Sequence, residues 1–337
     1  MEYTWSRAFA DGREAALLGG SAERLLDACE RLSLERARFV SGFVEAPLLG
    51  APEYDALVIH NPGFLVPGCR IADTAQQKAQ EVLDWAAAMG EIRPYIHFEL
   101  DVAGSGTLSG IHCRIEGRLD WAEGFFRVVG EPHRTEAFVR NVRRLPEGWF
   151  CRYTGIFPGR QSNNTRMEVK MLNEAARHAL CDVAYLRQCF DRIGFEAYDE
   201  PMLQDITRLA SVDVPISIQF DFLPDGSFLP VLSFLSLYEN VRPNCAPLFA
   251  LDGGLRHTCQ IYEEMGVSDD RWQMLEPCCF SAKRAFQTRE GVELRFNHCF
   301  PCCTKAKWIG AERTPAKFYL LLDEQRVPYL PEEQKST

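Results

Sequence analysis

Polar and apolar positions trade places with a period of two in a series of segments: 96–102, 110–117, 150–153, 165–171, 215–222, 292–298, 304–309 and 316–321. Successive side chains of a strand point to opposite faces, so each segment predicts a strand with one polar side. The polar sides carry Glu99, Asp101, Arg114, Arg152, Arg166, Lys170, Asp221, Arg295, Lys305, Lys307, Lys317 and Tyr319. On an open sheet these groups would face bulk water. In a closed barrel, one face of every strand would turn inward.

Stretches of helical character lie between these segments. Residues 4–43 read as mostly helical, with Leu25, Leu26, Leu32 and Leu34 among Ala, Glu and Arg. Residues 47–70 are irregular, with Pro47, Pro52, Pro62 and Pro67, and hold one short strand over 54–60. Asp73 to Met89 predicts a helix that Asp73 or Thr74 can cap and Gly90 ends. Strands over 95–102 and 111–119 follow, joined by the glycine-rich AGSGTLSG. A short helix is predicted over 131–142, then strands over 149–157 and 165–172 joined by PGRQSNN. The longest helical pattern spans 174–194, with Ala176, Leu180, Val183, Leu186 and Phe190 on one side. Strands over 215–223 and 228–238 make the clearest hairpin, turning at Pro224-Asp225-Gly226. Residues 246–288 are mixed, with Leu255, Cys259, Tyr262 and Met265 at helical spacing, and strands follow over 292–300, 305–309 and 316–322.

Short loops join the strands in pairs, which implies antiparallel hairpins separated by helices. A sheet of about ten such strands would curl or close. The predicted fold class is α/β: an antiparallel β-barrel built from helix-flanked strand pairs, with the helices outside. Residues 1–337 form one domain, with 1–90 a mainly helical lead-in, 91–322 the strand-and-helix body and 323–337 a flexible tail.

Composition narrows the function classes. Hydrophobic residues at 46% and charged residues at 25% describe a soluble globular chain. A net charge of −10 argues against a nucleic-acid coat, although a few inward bases can still create a local anion site. No run approaches the length of a membrane-spanning helix. The first residues lack a basic stretch followed by an apolar core, so the 13 cysteines are expected to be mostly reduced, in a cytoplasmic protein. No GxSxG elbow, HExxH helix, phosphate-loop lysine motif or dinucleotide fingerprint occurs.

Two constellations carry candidate chemistry. Bases from different strands could surround a diphosphate, arginine as a planar fork and lysine as a mobile charge. A tyrosine could donate to the anion and screen a carbocation with its ring. The alternative is the solvated face of ordinary sheets. His97, Glu99 and Asp101 share one side of a strand, and His112, Arg114 and Glu116 share one side of the next. Glu99, at mid-strand, is the candidate to accept a proton from an acceptor; a ladder of internal salt bridges is the alternative. Cys278, Cys299, Cys302 and Cys303 are weak zinc candidates. Their spacing lacks the usual two-residue knuckle, and adjacent cysteines do not easily reach one ion, so structural zinc is not expected.

The inward lysine, arginine and tyrosine pattern on helix-flanked strand pairs resembles the ABBA-type prenyltransferases, which act on aromatics or ribosomal peptides. The likeness rests on RMEVKM at 166–171, the hairpin FDFLPDGSFLPVLSFLSLY at 220–238 and AKFYLLL at 316–322, within residues 90–322. The resemblance implies transfer of a prenyl group from an isoprenyl diphosphate to an aromatic or peptide acceptor. Lys170, Lys317 and Tyr319, helped by Arg152 and Arg295, would bind the diphosphate, and Glu99 would correspond to the deprotonating acid. No cofactor is required; magnesium could assist, though no DDxxD-type cluster demands it. A noncatalytic peptide-binding or maturation partner, or another peptide-tailoring enzyme, are the alternative functions.

Overall fold

The computed structural model describes residues 34–35, 39–50, 56–61, 70–71, 77–90, 92–101, 108–237, 253–288 and 291–329. In chain order the first elements are β1 (Leu34–Glu35), β2 (Phe39–Pro47), β3 (Ala56–Asn61), β4 (Arg70–Ile71), α1 (Gln77–Ala88), β5 (Tyr95–Leu100) and β6 (Leu108–Arg114). Next come α2 (Leu119–Val128), α3 (Arg134–Arg143), β7 (Trp149–Ile156), β8 (Thr165–Met171), α4 (Glu174–Ala179), α5 (Val183–Ile193) and α6 (Glu200–Ala210). The chain continues with β9 (Ile216–Phe222), β10 (Phe228–Leu237), α7 (Gly253–Glu264), β11 (Phe280–Thr288), β12 (Gly291–Ile309) and β13 (Glu312–Tyr329).

Ten strands close on themselves. The order β10-β9-β8-β7-β6-β5-β3-β2-β13-β12 is antiparallel throughout, and β12 pairs back onto β10 from Val231↔Ile309 to Leu237↔Cys303. The first half of β12 uses the same edge for β11, from Phe280↔Cys299 to Thr288↔Gly291. The β11–β12 hairpin therefore extends past the ring as a collar. Strands β1 and β4 form a separate two-residue pair.

The barrel is apolar outside and polar inside. Phe98, Ile111, Met167, Ile218, Phe234, Trp308 and Phe318 point outward and are buried beneath the helices. The helices answer with Leu83, Phe125, Phe138, Phe190, Leu203 and Tyr262. Phe190, Phe195, Phe220 and Phe228 meet edge to face at centroid distances of 5.4 to 6.2 Å, welding α5 to β9 and β10. Sheet and helices thus build the core between them, which frees the inner face for chemistry.

Several boundaries differ from the sequence expectation. Residues 39–43 belong to β2, not to a helix: tertiary pairing with β3 and β13 overrides a weak helical pattern. Of the expected helix over 4–43, residues 34–35 and 39–43 lie in strands and the others fall outside the described residues, while the short strand expected over 54–60 corresponds to β3. The 174–194 helix is two helices, because the Asp182 carboxylate accepts the Ala184 and Tyr185 amides and caps a new start. Leu119 opens α2 instead of closing a strand. The segments 292–300 and 305–309 are one 19-residue strand. Residues 323–329, expected as a tail, continue β13 in register with β12; 330–337 lie outside the described residues. No described helix is long and apolar enough to cross a membrane.

Candidate active site

The lumen encloses a cavity of about 360 Å³ walled by side chains of β2, β5 to β10, β12 and β13. A larger hollow of about 800 Å³ lies outside, along α3 between Pro132 and Arg144. One helix and its leading turn supply its whole lining, whereas the lumen gathers convergent polar groups from nine strands, so the lumen is the better site.

Two bulges shape its wall. Between Cys151 and Tyr153 the register on β8 slips by one, leaving Arg152 as an extra residue. Arg152 and Tyr153 therefore both line the lumen. A second slip between Pro301 and Cys303 does the same for Cys302 and Cys303.

At one end, lysines surround a single buried carboxylate. Glu45 lies 3.1 Å from Lys305 and 2.9 Å from Lys317. Lys305 Nζ lies 2.5 Å from the Tyr319 hydroxyl, which it donates to. Burial alone would raise the Glu45 carboxyl, but Lys305 and Lys317 hold it well below the usual carboxylate range. Tyr319 is pushed far up by burial and by Glu45, so it stays a hydrogen-bond donor. Beside them Arg166 grips Asp221 with two bonds, at 2.8 and 3.0 Å. Lys307 faces the same interior from β12, opposite Ser233 of β10. Burial, then the charges of Lys305, Lys317 and Arg166, push its ammonium down to about 8. Lys305, Lys307, Lys317 and Arg166 against Glu45 and Asp221 leave an excess of positive charge, and Lys307 registers that excess.

Along the wall the character changes. Glu99 accepts from His112 Nε2 at 2.9 Å and from the Arg160 guanidinium. Arg160 also binds Asp101 at 2.6 and 3.0 Å. Burial would raise Glu99, yet His112 and Arg160 hold it far below its ordinary value. The Arg160 and Arg166 guanidiniums lie over the Phe157 ring at 4.6 and 4.5 Å. Arg114 lies 5.3 Å over Tyr95 and 5.9 Å over Tyr153, and Arg152 lies 5.2 Å over Tyr153. Gln219 donates to Glu168 at 2.8 Å. Phe43, Phe300, Leu235, Leu237 and Leu321 supply apolar wall.

Of the residues singled out from sequence, Glu99, Arg152 and Tyr319 line this cavity, and Lys317 joins it through Glu45. Lys170 sits two positions beyond Glu168, half-buried, and is not part of the cavity wall. Arg295 lies on the collar, bound to Glu293 at 2.7 Å and over Phe286 at 4.2 Å, because β12 has there left the ring for β11. Cys278 and Cys299 are buried in the outer core, while Cys302 and Cys303 face the lumen. Among the described residues no group of three or more His, Cys, Asp or Glu side chains gathers as for a metal ion. Sequence reasoning missed Glu45 and Arg160. Each has a faint signal: Glu45 is the sole charge in FVSGFVEAP, and Arg160 the sole charge in PGRQSNN.

No protein-family model matches the sequence, and no curated protein matches it. Solved structures do match the fold. The 5-dimethylallyltryptophan synthase from Streptomyces coelicolor is similar over 95% of this chain and 95% of its own, with a TM-score of 0.52 at 11% identity. PriB in complex with product diphosphate is similar over 95% of this chain and 94% of its own, with a TM-score of 0.52 at 11% identity. The prenyltransferase PriB with L-tryptophan and dimethylallyl thiolodiphosphate matches over 95% and 93%, with a TM-score of 0.50 at 9% identity. The chain has the fold of the ABBA-type prenyltransferases. At these identities the likeness concerns architecture.

Proposed function

We propose that this chain is a prenyltransferase, taking an isoprenyl group from its diphosphate and attaching it to an aromatic acceptor, free or within a peptide. The observation that carries the reading is the polarity of the lumen from end to end. Excess positive charge gathers at Lys305, Lys307, Lys317 and Arg166, aromatic rings line the wall, and the ionised Glu99 group faces the same cavity. Heterolysis of an allylic C–O bond needs these three things. Cations and the Tyr319 hydroxyl stabilise the departing diphosphate. The faces of Tyr153 and Tyr319, with Phe43 and Phe300, suit an allylic cation by cation–π attraction. The hydrogen-bonded Glu99–His112 pair supplies a place for the proton that the acceptor loses. The solved structures of similar fold support the same assignment, since PriB is seen with product diphosphate and, separately, with L-tryptophan and dimethylallyl thiolodiphosphate.

Calorimetric titration with dimethylallyl thiolodiphosphate, with and without magnesium, tests the diphosphate end. The expected result is saturable binding that Lys317→Met and Arg166→Met each weaken about tenfold or more, the loss of one charge-assisted hydrogen bond. Turnover is then sought with dimethylallyl diphosphate against indoles, L-tryptophan and tryptophan-containing peptides. Absence of binding by the native protein, or binding indifferent to both substitutions, overturns the reading.

One observation favours a second reading, a peptide-binding partner without catalysis. Arg166 is matched by Asp221, Arg160 by Asp101 and Glu99, and Lys305 and Lys317 by Glu45. Such internal pairing can simply rigidify a barrel. Peptide binding without diphosphate binding would select it.

A further inference from the structure

The lumen holds one base better placed than the carboxylate the sequence points to, and its assignment rests on the prenyl-transfer reading. His112 on β6 bonds Glu99 through Nε2 at 2.9 Å. A carboxylate can only accept, so with Glu99 ionised the proton resides on Nε2 and donates. Nδ1 then carries a lone pair, and no described residue bonds to it. The ring lies against two glycines. Gly155 stands directly opposite His112 on β7, and a Cβ there would overlap Nδ1. A Cβ on Gly110 would come within 3.2 Å of Nε2. Phe157 meets the ring edge on, with centroids 5.3 Å apart. The imidazole is thus cradled and oriented by a carboxylate, its Nδ1 lies beside Gly155 where only a glycine leaves room, and the residue lines the cavity.

We propose that His112 Nδ1 is the general base that removes the acceptor's proton, and that Glu99 acts through it as the positioning residue. The allylic C–O bond breaks and its electron pair leaves with the diphosphate. An electron pair of the acceptor ring forms the new C–C bond. The ring C–H bond then breaks, its pair restores aromaticity, and the proton passes to Nδ1. The resulting imidazolium is ion-paired with Glu99 and afterwards returns the proton to solvent. Glu99 itself is a poor proton acceptor. Both its oxygens are engaged, one by His112 and the other by the Arg160 guanidinium.

The charged and titratable groups around His112 are Glu99 and its backbone-paired neighbour His97 from β5, Arg160 from the β7–β8 loop, Arg166 from β8 and Arg114 on its own strand.

Two measurements test the assignment. In protein labelled with nitrogen-15 histidine, the signal lost in His112→Gln should report a neutral ring protonated at Nε2, and Glu99→Leu, which leaves no oxygen to accept, should abolish that tautomer preference. A ring protonated at Nδ1, or a tautomer indifferent to Glu99→Leu, overturns the proposal whatever the acceptor. In turnover, His112→Gln should lower kcat by about 10²–10⁴-fold. It should also remove the acid limb that protonation of the native base gives the rate profile. Binding of dimethylallyl thiolodiphosphate should stay within about threefold of native. A native enzyme that binds and turns over while His112→Gln keeps both its rate and its acid limb refutes the base assignment and leaves the prenyl-transfer reading standing. A native protein that does not bind the diphosphate refutes that reading itself.

Discussion

Replacing Glu45 by Gln removes the one carboxylate between Lys305 and Lys317 while keeping its shape. The pair distances are 3.1 and 2.9 Å, and Glu45 and Lys305 are both buried. Breaking a buried ion pair from one side typically costs about 3–5 kcal/mol, because the partner stays buried without its counter-charge. That is a large share of the roughly 5–15 kcal/mol that separates native from unfolded chains. The same change adds one positive charge where a diphosphate would sit. Glu45→Gln should therefore be less stable by about 3–5 kcal/mol in urea unfolding, yet gain more than native protein from saturating pyrophosphate. The pH dependence has a fixed sign. The Glu45 carboxyl is depressed in the folded protein, so its contribution is complete above the unfolded value of about 4.3 and fades as pH falls through the folded one. The gap between native and variant should hold from pH 8 to 5 and close only in stronger acid. A loss under about 1 kcal/mol, with an unchanged pyrophosphate shift, would refute both the pairing and the anion site.

Other outcomes follow from the same geometry. Lys307 titrates near 8, and an anion beside it must raise that value, so pyrophosphate binding near pH 8.5 should take up protons. Calorimetry in buffers of different ionisation enthalpy reads the uptake, and Lys307→Met should abolish it. Without ligand, the folded state binds fewer protons here than the unfolded one, so this group makes stability rise from about pH 8 towards 10. Gly155→Ala, whose methyl would collide with the His112 ring, should lower kcat as His112→Gln does while pyrophosphate affinity is unchanged. Phe220→Ala, which empties the centre of the outer aromatic cluster, should cost about 3–5 kcal/mol in urea unfolding and leave the midpoint of ligand titrations in place.

Much of the barrel was legible because alternation is a local property. Arg166, Glu168 and Lys170 announce a polar strand face without knowledge of any neighbour, and Glu99 is read correctly as facing inward for the same reason. What alternation cannot show is which length of a strand stays in the ring. Arg295 and Lys305 share a strand and an odd number, yet the extra residue at Cys302 turns them to opposite faces, and one borders β11 and the other β10. Bulges are equally invisible, because Arg152 beside Tyr153 breaks the period with no marker residue. Glu45 escaped because β2 is specified by its partners β3 and β13 and hardly by its own composition. The base within the Glu99 pair needed the glycines across the strand, whose meaning depends on register.

Strand β2, near the start of the chain, is zipped to β13 near its end, residue 45 to residue 319. The lysine-bound carboxylate is thus shared between the first and last staves of the ring. No growing polypeptide can possess this chamber until β13 has left the ribosome. Up to that moment both flanking staves present unpaired edges that invite partners from other chains. Removal of the last stave should accordingly yield precipitate instead of a weakened catalyst.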